Sequence, residues 1–213
     1  MTATRPPLTT LEGKFIRLDP MTTADLPDLH AAIGHPEVYA GGYGGGPAGY
    51  RASVPEFVEW AKEYFPWDAR NMYLIRVNGG PDDGLVIGTT TLGDFELEAE
   101  HAHIGWTAYD PRVWGGPVNP EAKYLLLKLA FEHGFGRVKI QTDVLNDRSR
   151  AAVLKLGAKF EGVVRRDRLR ADGTWRDTAV YSILIDEWPE VRASLRKRLE
   201  SFSAAPLTVG DSH

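Results

Sequence analysis

The chain has 213 residues and a net charge of -4, and its 43% hydrophobic and 25% charged residues are typical of one folded globular domain. It contains no cysteine, which excludes disulfide scaffolds, thiolate metal centres, iron–sulfur clusters and a cysteine nucleophile. The slight acidic excess gives no overall basic charge for binding duplex nucleic acid, although it leaves room for a local basic patch, and it permits a cationic ligand such as an amine.

Two absences in the sequence bear on location. No uninterrupted apolar run reaches the roughly 18 residues that a membrane-spanning helix needs, and residues 1–10 lack the apolar segment of a secretory signal. We therefore expect a cytoplasmic protein with no membrane association and no nucleic-acid partner. Residues 1–10 are expected to form a flexible lead, residues 11–203 one domain, and residues 204–213 a flexible tail.

The first third of the chain is predicted to contain a strand over 14–18, a helix over 24–33 and a second helix over 54–65. Between the two helices lie many glycines, and Gly44, Gly46 and Gly49 match G-x-G-x-x-G, the spacing of a dinucleotide-binding turn. No strand precedes this stretch and Pro47 interrupts it, which favours a flexible loop instead.

The remaining elements are predicted from alternating and helical apolar patterns. Strands are predicted over 72–77, 85–92, 102–109, 138–144, 160–169 and 175–185, and helices over 118–135, 147–156 and 187–199. Strands that come first and then alternate with helices predict a mixed α/β (α+β) domain with helices packed on the sheet.

Alternation along the strand 102–109 predicts which of its side chains share a face. One face is expected to carry Ala102, Ile104, Trp106 and Ala108, and the other His101, His103, Gly105 and Thr107.

The turn over 112–119 joins a predicted strand to a predicted helix and is rich in glycine. At Gly115 and Gly116 backbone N–H groups can approach a ligand closely, and the helix N-terminus adds a partial positive charge. These features suit a phosphate or pyrophosphate. A purely structural turn explains them equally well, because glycines permit a tight turn and Pro117 suits the start of a helix.

Five segments, in this order, resemble the GCN5-related N-acetyltransferases (GNAT) and, within that superfamily, the RimJ/RimL-type branch. They are the strand His103-Ile104-Gly105-Trp106, the turn 112–119, Glu121-Ala122-Lys123, Asn146-Asp147-Arg148-Ser149 and Leu156-Gly157-Ala158, and the similarity extends over residues 11–184. The resemblance implies one domain with a central, mostly antiparallel sheet of about seven strands and helices on both faces. It also implies that acetyl-CoA lies between two splayed parallel strands, here 102–109 and 138–144.

The resemblance also implies which residues of this chain contact the cofactor. It places the pyrophosphate on Arg112, Gly115, Gly116, Val118 and Asn119, the pantetheine arm along Trp106 and Thr107, and further contacts to the arm on Asn146 and Ser149. At Pro117 the family has Gly or Ala, so the turn lacks one N–H donor. Without the resemblance, Asp147 or Ser149 would be interpreted as a helix cap.

Acetyl transfer to nitrogen requires a neutral amine, and an amine of pKa near 10.4 is only about 0.04% neutral at pH 7. His103 is the candidate general base, because an imidazole can accept the amine proton and the related branch often has Glu at this position. Glu100 and Glu96 are alternatives, and a partly buried structural histidine is another interpretation. His101 and His103 could together chelate a metal, but no further ligand is evident and we expect no metal.

The general acid of many relatives is a Tyr, and its position here is Val153. Ser149, our second candidate catalytic residue, could bond to the sulfur of the departing thiolate instead, or water could protonate it. With no cysteine and no Ser-His-Asp order, we expect direct attack of the amine on acetyl-CoA in a ternary complex.

Two further clusters are open to interpretation. The arginine-rich run 165–170 is interpreted as a solvated face of a hairpin rather than a nucleic-acid patch. Of the aromatic residues between positions 39 and 67, only those over 39–50 are expected to line an acceptor pocket beside the glycines.

The sequence therefore predicts an acetyl-CoA-dependent N-acetyltransferase whose acceptor is a protein N-terminus or a small amine. A non-catalytic acyl-CoA-binding sensor or scaffold and an RNA-binding module are the alternatives. The family permits a homodimer.

Overall fold

Eight strands of the computed structural model, which describes residues 2–203 and 205–210, form one open sheet. They are β1 (Leu11–Glu12), β2 (Ile16–Pro20), β3 (Asn71–Val77), β4 (Val86–Glu96), β5 (His101–Tyr109), β6 (Arg137–Asp143), β7 (Lys159–Leu169) and β8 (Trp175–Leu184). Their order is β1-β2-β3-β4-β5-β6-β8-β7, and every neighbouring pair is antiparallel except β5 and β6. The predicted mixed fold is confirmed, and the strand beyond the predicted seven is β1.

Within the described residues, six α-helices cover the two faces of this sheet. They are α1 (Leu26–Ile33), α2 (Pro36–Ala40), α3 (Val54–Tyr64), α4 (Val118–Glu132), α5 (Asp147–Lys155) and α6 (Trp188–Glu200). Alternation along β3 sends Met72 and Leu74 to one face, against α1 and α3, and Tyr73 and Ile75 to the other, against α4 and α6. Because both faces are buried, β3 is a nearly continuous buried run.

β5 and β6 pair as parallel strands only over their first residues. Residues 101–104 lie opposite residues 137–140, and the pairing stops there although both strands continue. Beyond this point the strands diverge and leave an opening between them. This is the splayed parallel pair that the resemblance implies.

A β-bulge in β5 lies beside this opening. Thr89 pairs with Ala108 and Thr91 with Gly105, so a step of two residues along β4 corresponds to a step of three along β5. Trp106 lies within the longer step and has a positive φ of 46°. Such a bulge adds one residue to a strand and changes the direction of the side chains that follow it.

The bulge reverses the faces of the later side chains in β5. The predicted alternation is therefore wrong beyond Gly105. Ala102 and Ile104 pack in the core that includes α4, whereas Ala108 belongs to the core of α1 and α3, and Trp106 packs against it. Thr107 points toward α4 as a result, where it contacts a lysine of that helix.

Residues 2–10 form neither helix nor strand, and part of this lead lies against the domain. Ala3 is buried in the core, and the N–H of Thr4 donates to the carbonyl oxygen of His133 at 2.9 Å.

The predicted domain boundaries at residues 11 and 203 stay a prediction. Met1, Ala204 and residues 211–213, which include part of the predicted tail, lie outside the described residues. Among the helices of the described chain, none is both long and apolar enough to cross a membrane.

Candidate active site

The opening between β5 and β6 forms a cleft of about 310 Å³. Seven of the predicted site residues line this cleft: His103, Trp106, Thr107, Gly115, Asn119, Asn146 and Ser149. Val153, at the position of the missing Tyr, also lines it. Segments distant in the sequence meet here because the diverging ends of β5 and β6 lead into the turns that precede α4 and α5.

Arg112, Gly116 and Val118 belong to the predicted phosphate turn but lie outside the described wall of the cleft. Nε and Nη2 of Arg112 donate to Oδ2 of the fully buried Asp110, at 3.0 and 2.6 Å. Val118 packs in the core. These contacts hold the turn in shape, and direct contact of the three residues with a ligand stays a prediction.

Gly115 leaves the turn open toward the cleft. Its φ is +80°, and a Cβ added there would meet no atom within 4 Å. The Arg148 guanidinium lies 3.6 Å from the centroid of the Trp114 ring, and both residues line the cleft. An open backbone beside a cation suits a phosphate group. Arg148 belongs to the segment 146–149 that resembles the family, but no role could be predicted for it because nothing local in the sequence pairs it with Trp114.

Lys123 of α4 is a site residue to which the sequence analysis gave no role. It is 4% exposed and lines the cleft, and its Nζ donates to Oγ1 of Thr107 at 2.8 Å. Burial, with no counter-charge among the described residues, lowers its pKa to about 7. The sequence does contain a signal for Lys123. Asn119, a predicted cofactor-binding residue, lies four residues before Lys123, so the two share one helix face.

Asn146 caps α5 and connects it to the glycine-rich loop. Its Oδ1 accepts the N–H of Ser149 at 2.9 Å, and its amide donates to the carbonyl oxygen of Gly41. The helix cap is therefore Asn146, and the interpretation of Asp147 or Ser149 as the cap is wrong. Capping therefore does not explain the presence of Ser149, whose side-chain position lies in the wall of the cleft.

His103 is 1% exposed, and two neighbours hold its ring. Nδ1 lies 3.0 Å from Oδ2 of Asp94 and 3.2 Å from Nη1 of Arg70. The carboxylate can only accept a hydrogen bond and the guanidinium can only donate one, so Nδ1 cannot bond to both. We assign the shorter contact, to Asp94, as the hydrogen bond, which places the proton on Nδ1 and the lone pair on Nε2, and Arg70 then contacts the ring without a hydrogen bond and pairs with Asp94 instead. Nε2 is buried and has no hydrogen-bond partner among the described residues.

This arrangement keeps the imidazole neutral. Burial lowers the pKa of His103 to about 4, so the ring is unprotonated near pH 7. The hydrogen bond from His103, together with the ion pair to Arg70, holds the pKa of Asp94 well below its usual range. The cleft therefore contains a neutral nitrogen base that is backed by a carboxylate.

The alternative bases lie elsewhere. Glu96 and Glu100 flank the turn between β4 and β5, outside the described wall of the cleft. Oε2 of Glu96 lies 3.8 Å from Nδ1 of His101. The described residues include no group of three or more side chains that could hold a metal ion. Of the three candidate bases, His103 is the one that lines the opening.

The buried imidazole predicts how stability depends on pH. An unfolded histidine titrates near pH 6.5 and folded His103 near pH 4, so the unfolded chain binds an additional proton between these values. We expect the free energy of unfolding to fall by about 3 kcal/mol as the pH is lowered from about 6.5 to about 4. Urea titrations of the wild type and of His103→Asn, whose amide can still donate to Asp94, measure the difference. An equal pH dependence in both proteins would contradict this prediction.

The aromatic wall of the cleft is only partly as predicted. Tyr43 lines the cleft, but Tyr39 is fully buried and packs edge-on against Tyr50, with ring centroids 5.4 Å apart. Tyr64 of α3 lines the cleft as well, and its carbonyl oxygen accepts the indole N–H of Trp106 at 3.3 Å. The bulge turns Trp106 toward α3 and so creates this contact.

The arginine run is a solvated face only in part. Arg165 and Arg166 are exposed, as predicted. Arg168 lines the cleft, and Nη2 of Arg170 donates to Oδ2 of the buried Asp143 at 2.7 Å. The Arg168 side chain is 46% exposed, so it is solvated as predicted although it also lines the cleft. The interpretation is wrong for Arg170, whose side chain is 17% exposed and is held by Asp143.

The glycine-rich loop meets the tip of the hairpin that β7 and β8 form. The N–H of Ala171 donates to the carbonyl oxygen of Gly45 at 3.0 Å, and Gly41 and Gly42 line the cleft. The element before the loop is α2, not a strand, so its glycines do not form a dinucleotide-binding turn. The loop forms one wall of the cleft instead.

A comparison with protein-family models matches residues 16–159 to the acetyltransferase (GNAT) domain. Among solved structures, a candidate acetyltransferase from T. thermophilus is 34% identical, covers 93% of this chain and 100% of its own, and has a TM-score of 0.79. No curated protein matches the chain.

More distant structures share the fold. A GCN5-related N-acetyltransferase from Brucella melitensis is 24% identical over 95% of this chain and 91% of its own, with a TM-score of 0.83. Mycobacterium smegmatis RimJ, solved in complex with CoA-disulfide, is 20% identical over 93% of this chain and 94% of its own, with a TM-score of 0.66. Because the family match covers more than half of the sequence, the chain belongs to the GNAT acetyltransferase family.

Proposed function

We propose that the protein is an N-acetyltransferase that uses acetyl-CoA and transfers the acetyl group directly to a primary amine in a ternary complex. The observation that carries this proposal is a pair of groups on opposite faces of β5 beside the bulge. One is Nε2 of His103, on the face of Trp106, which has no hydrogen-bond partner in the part of the chain that the structure describes. The other is the ammonium of Lys123, which contacts Thr107 on the face of α4. One group can take up a proton and the other can give one.

The cleft contains groups that suit a CoA thioester. Trp106 and Thr107 are in no register pair with β4 or β6 among the described residues, so their main chain can pair with a pantetheine arm. The open turn at Gly115 and the cation of Arg148 would hold the pyrophosphate. Acetyl-CoA would supply an activated acetyl thioester, and the CoA-disulfide bound to RimJ supports this class of ligand.

His103 acts on the amine. When the amine nitrogen bonds to the acetyl carbon it must lose a proton, and Nε2 of His103 accepts it. Asp94, which accepts the hydrogen bond of Nδ1, stabilises the resulting imidazolium. A pKa of about 4 keeps the imidazole neutral but makes it a weak base, so it accepts the proton from the nitrogen after the bond to the acetyl carbon has formed, when that N–H is far more acidic than a free ammonium.

Lys123 acts on the leaving group and takes the place of the Tyr that relatives have at Val153. It gives a proton to the sulfur as the carbon–sulfur bond breaks. A pKa of about 7 makes this ammonium a better acid than an ordinary lysine, and matches it to a thiol with a pKa of about 8.5. Exchange with solvent restores His103 and Lys123, so the net products are one amide and one thiol.

Measuring CoA release from acetyl-CoA over a panel of amines and peptides tests the proposal. We expect turnover of at least one class of amine, and we expect His103→Asn to lower kcat/KM by about 100-fold or more, as for other general bases. His101→Asn removes a partly exposed histidine from the same strand and should keep the wild-type rate. Absence of both CoA binding and turnover would overturn the proposal.

A non-catalytic acyl-CoA sensor is the second candidate, because Val153 lines the cleft where relatives have the Tyr acid. Calorimetry that shows tight CoA binding without turnover of any amine would favour it.

We further propose that the protein belongs to the RimJ/RimL-type branch, which the likeness to RimJ supports. We also propose that it acts in the cytoplasm.

A further inference from the structure

Three buried polar atoms in the wall of the cleft lack hydrogen-bond partners among the described residues: Oη of Tyr43, Nε2 of His103 and Nε of Arg176. Buried polar groups are nearly always hydrogen-bonded, so several unpartnered groups in one wall indicate a polar ligand. His103 would face the amine. Nε of Arg176 can only donate and therefore requires an acceptor, and the Tyr43 hydroxyl can donate to the same group because burial keeps its pKa well above the usual range.

Arg176 of β8 lies directly opposite Arg168 of β7, and both line the cleft. Like charges at a cross-strand pair repel each other. Nε of Arg168 lies 3.4 Å from Oδ2 of Asp167, and Arg176 forms no salt bridge with any residue that the structure describes. Two cations and one carboxylate leave this arginine pair with one uncompensated positive charge.

Asp143, which lines the cleft, and Asp94, which lies behind His103, are already bound to other side chains. Asp143 accepts hydrogen bonds from Nε and Nη2 of Arg170, at 3.0 and 2.7 Å. Asp94 is bound by Arg70 and by His103. Asp143 also attracts Arg176, but its hydrogen-bonded partner Arg170 adds a third cation, so three arginines and two carboxylates still leave one uncompensated positive charge.

The arginine pair lies on the acceptor side of the sheet. The Arg168 guanidinium lies 5.6 Å from the centroid of a Trp106 ring, and Trp106 contacts His103. Lys123 lies on the other side of β5, with α4 and the turn proposed for the CoA phosphates. An anion at the arginine pair would therefore belong to the acceptor and not to CoA.

We propose that the acceptor amine carries a carboxylate, which Arg168, Arg176 and Tyr43 bind while His103 faces the amine. This inference rests on the proposed acetyl transfer and names its substrate class. Arginine binds carboxylates through paired N–H···O hydrogen bonds, and one uncompensated charge matches a monoanion. The carboxylate comes either from a free amino acid or from an acidic residue next to the N-terminus of a peptide.

Steady-state kinetics with matched substrates test this inference. The first pair is alanine and alaninamide, and the second is two amidated peptides with aspartate or asparagine at the second position. We expect Arg176→Gln to lower kcat/KM by about 10- to 100-fold for the carboxylate member of at least one pair, and by less than about threefold for its amide. The pair that responds identifies the source of the carboxylate. For each protein we compare the ratio of kcat/KM for the carboxylate substrate to kcat/KM for its amide. The two amines differ in pKa by the same amount in every variant, so this difference cancels when the ratios are compared.

Arg165→Gln is the matched control, because Arg165 is an exposed arginine of the same hairpin. It should leave both substrate ratios unchanged, and Arg168→Gln should act like Arg176→Gln with an unchanged KM for acetyl-CoA. Equal losses for the carboxylate and the amide in both pairs, or the same selective loss with Arg165→Gln, would overturn the carboxylate site and leave acetyl transfer standing. Absence of CoA binding and of turnover with every amine is a different outcome, in which the proposed function itself fails.

Discussion

We expect Lys123→Met to lower kcat by about 100-fold or more with little change in the KM for acetyl-CoA, because proton transfer to a leaving group contributes about 10²- to 10⁴-fold. Lys123 is 4% exposed, lines the cleft and donates to Thr107. Its pKa of about 7 lies below the value of about 8.5 for a thiol, so the proton moves downhill to the sulfur. An ordinary lysine, near 10.4, would retain its proton.

Stability separates this effect from unfolding. Methionine keeps most of the length of lysine and removes a charge whose burial is unfavourable, so the variant should be as stable as the wild type or more stable. Lys128→Met is the control on the same helix, where the side chain is 45% exposed and its Nζ lies 3.9 Å from Oε1 of Glu132. It should change neither kcat nor the melting temperature.

The pH profile gives the specific signature of a general acid. Lys123 loses its proton as the pH rises above about 7, so the kcat of the wild type should fall on the alkaline side where this proton is needed. The Lys123→Met variant should lack this alkaline decrease. If the variant keeps both the decrease and a kcat within about threefold of the wild type, another group protonates the sulfur.

The largest effect on stability is expected for Glu121→Ala. Glu121 of α4 is 4% exposed, and its carboxylate accepts the backbone N–H groups of Lys14, Phe15 and Ile16, at 2.7, 2.7 and 2.9 Å. Alanine would leave these donors unpaired in the interior, at about 1–3 kcal/mol each. We expect a loss of about 3–6 kcal/mol in the free energy of unfolding, which is a large part of a typical domain's stability.

Urea denaturation of three proteins measures this loss. Glu121→Gln keeps one carbonyl oxygen as an acceptor and should lie between the wild type and Glu121→Ala. Glu132→Ala, whose side chain is 59% exposed on the same helix, should change stability by less than about 0.5 kcal/mol. A similar midpoint for Glu121→Ala and Glu132→Ala would show that the carboxylate does not anchor β2 to the helix that carries Lys123.

The order of strands and helices could be predicted because it depends on local patterns. The apolar runs of β3 and β8 and the helical spacing of α3 and α4 place these elements within a few residues of their observed bounds. β1 and α2, with two and five residues, are too short to show a period, and they were not predicted.

The candidate site could be predicted where one continuous segment builds it. The turn at Gly115, the strand at Trp106 and the start of α5 at Asn146 are such segments, and all three line the cleft. The bulge at Trp106 could not be predicted, because one extra residue is invisible to an alternating pattern until the partner strand fixes the register.

The sequence by itself determined the mixed α/β class, the order of the elements and the absence of a thiol, because these depend on composition and local period. Only the tertiary structure decided which charges meet. Arg70, Asp94 and His103 come from three segments, and Arg168 meets Arg176 through the register of β7 and β8. A chain with a net charge of -4 therefore has a pair of arginines in the wall of its cleft, because long-range pairing, not composition, determines the charge at a site.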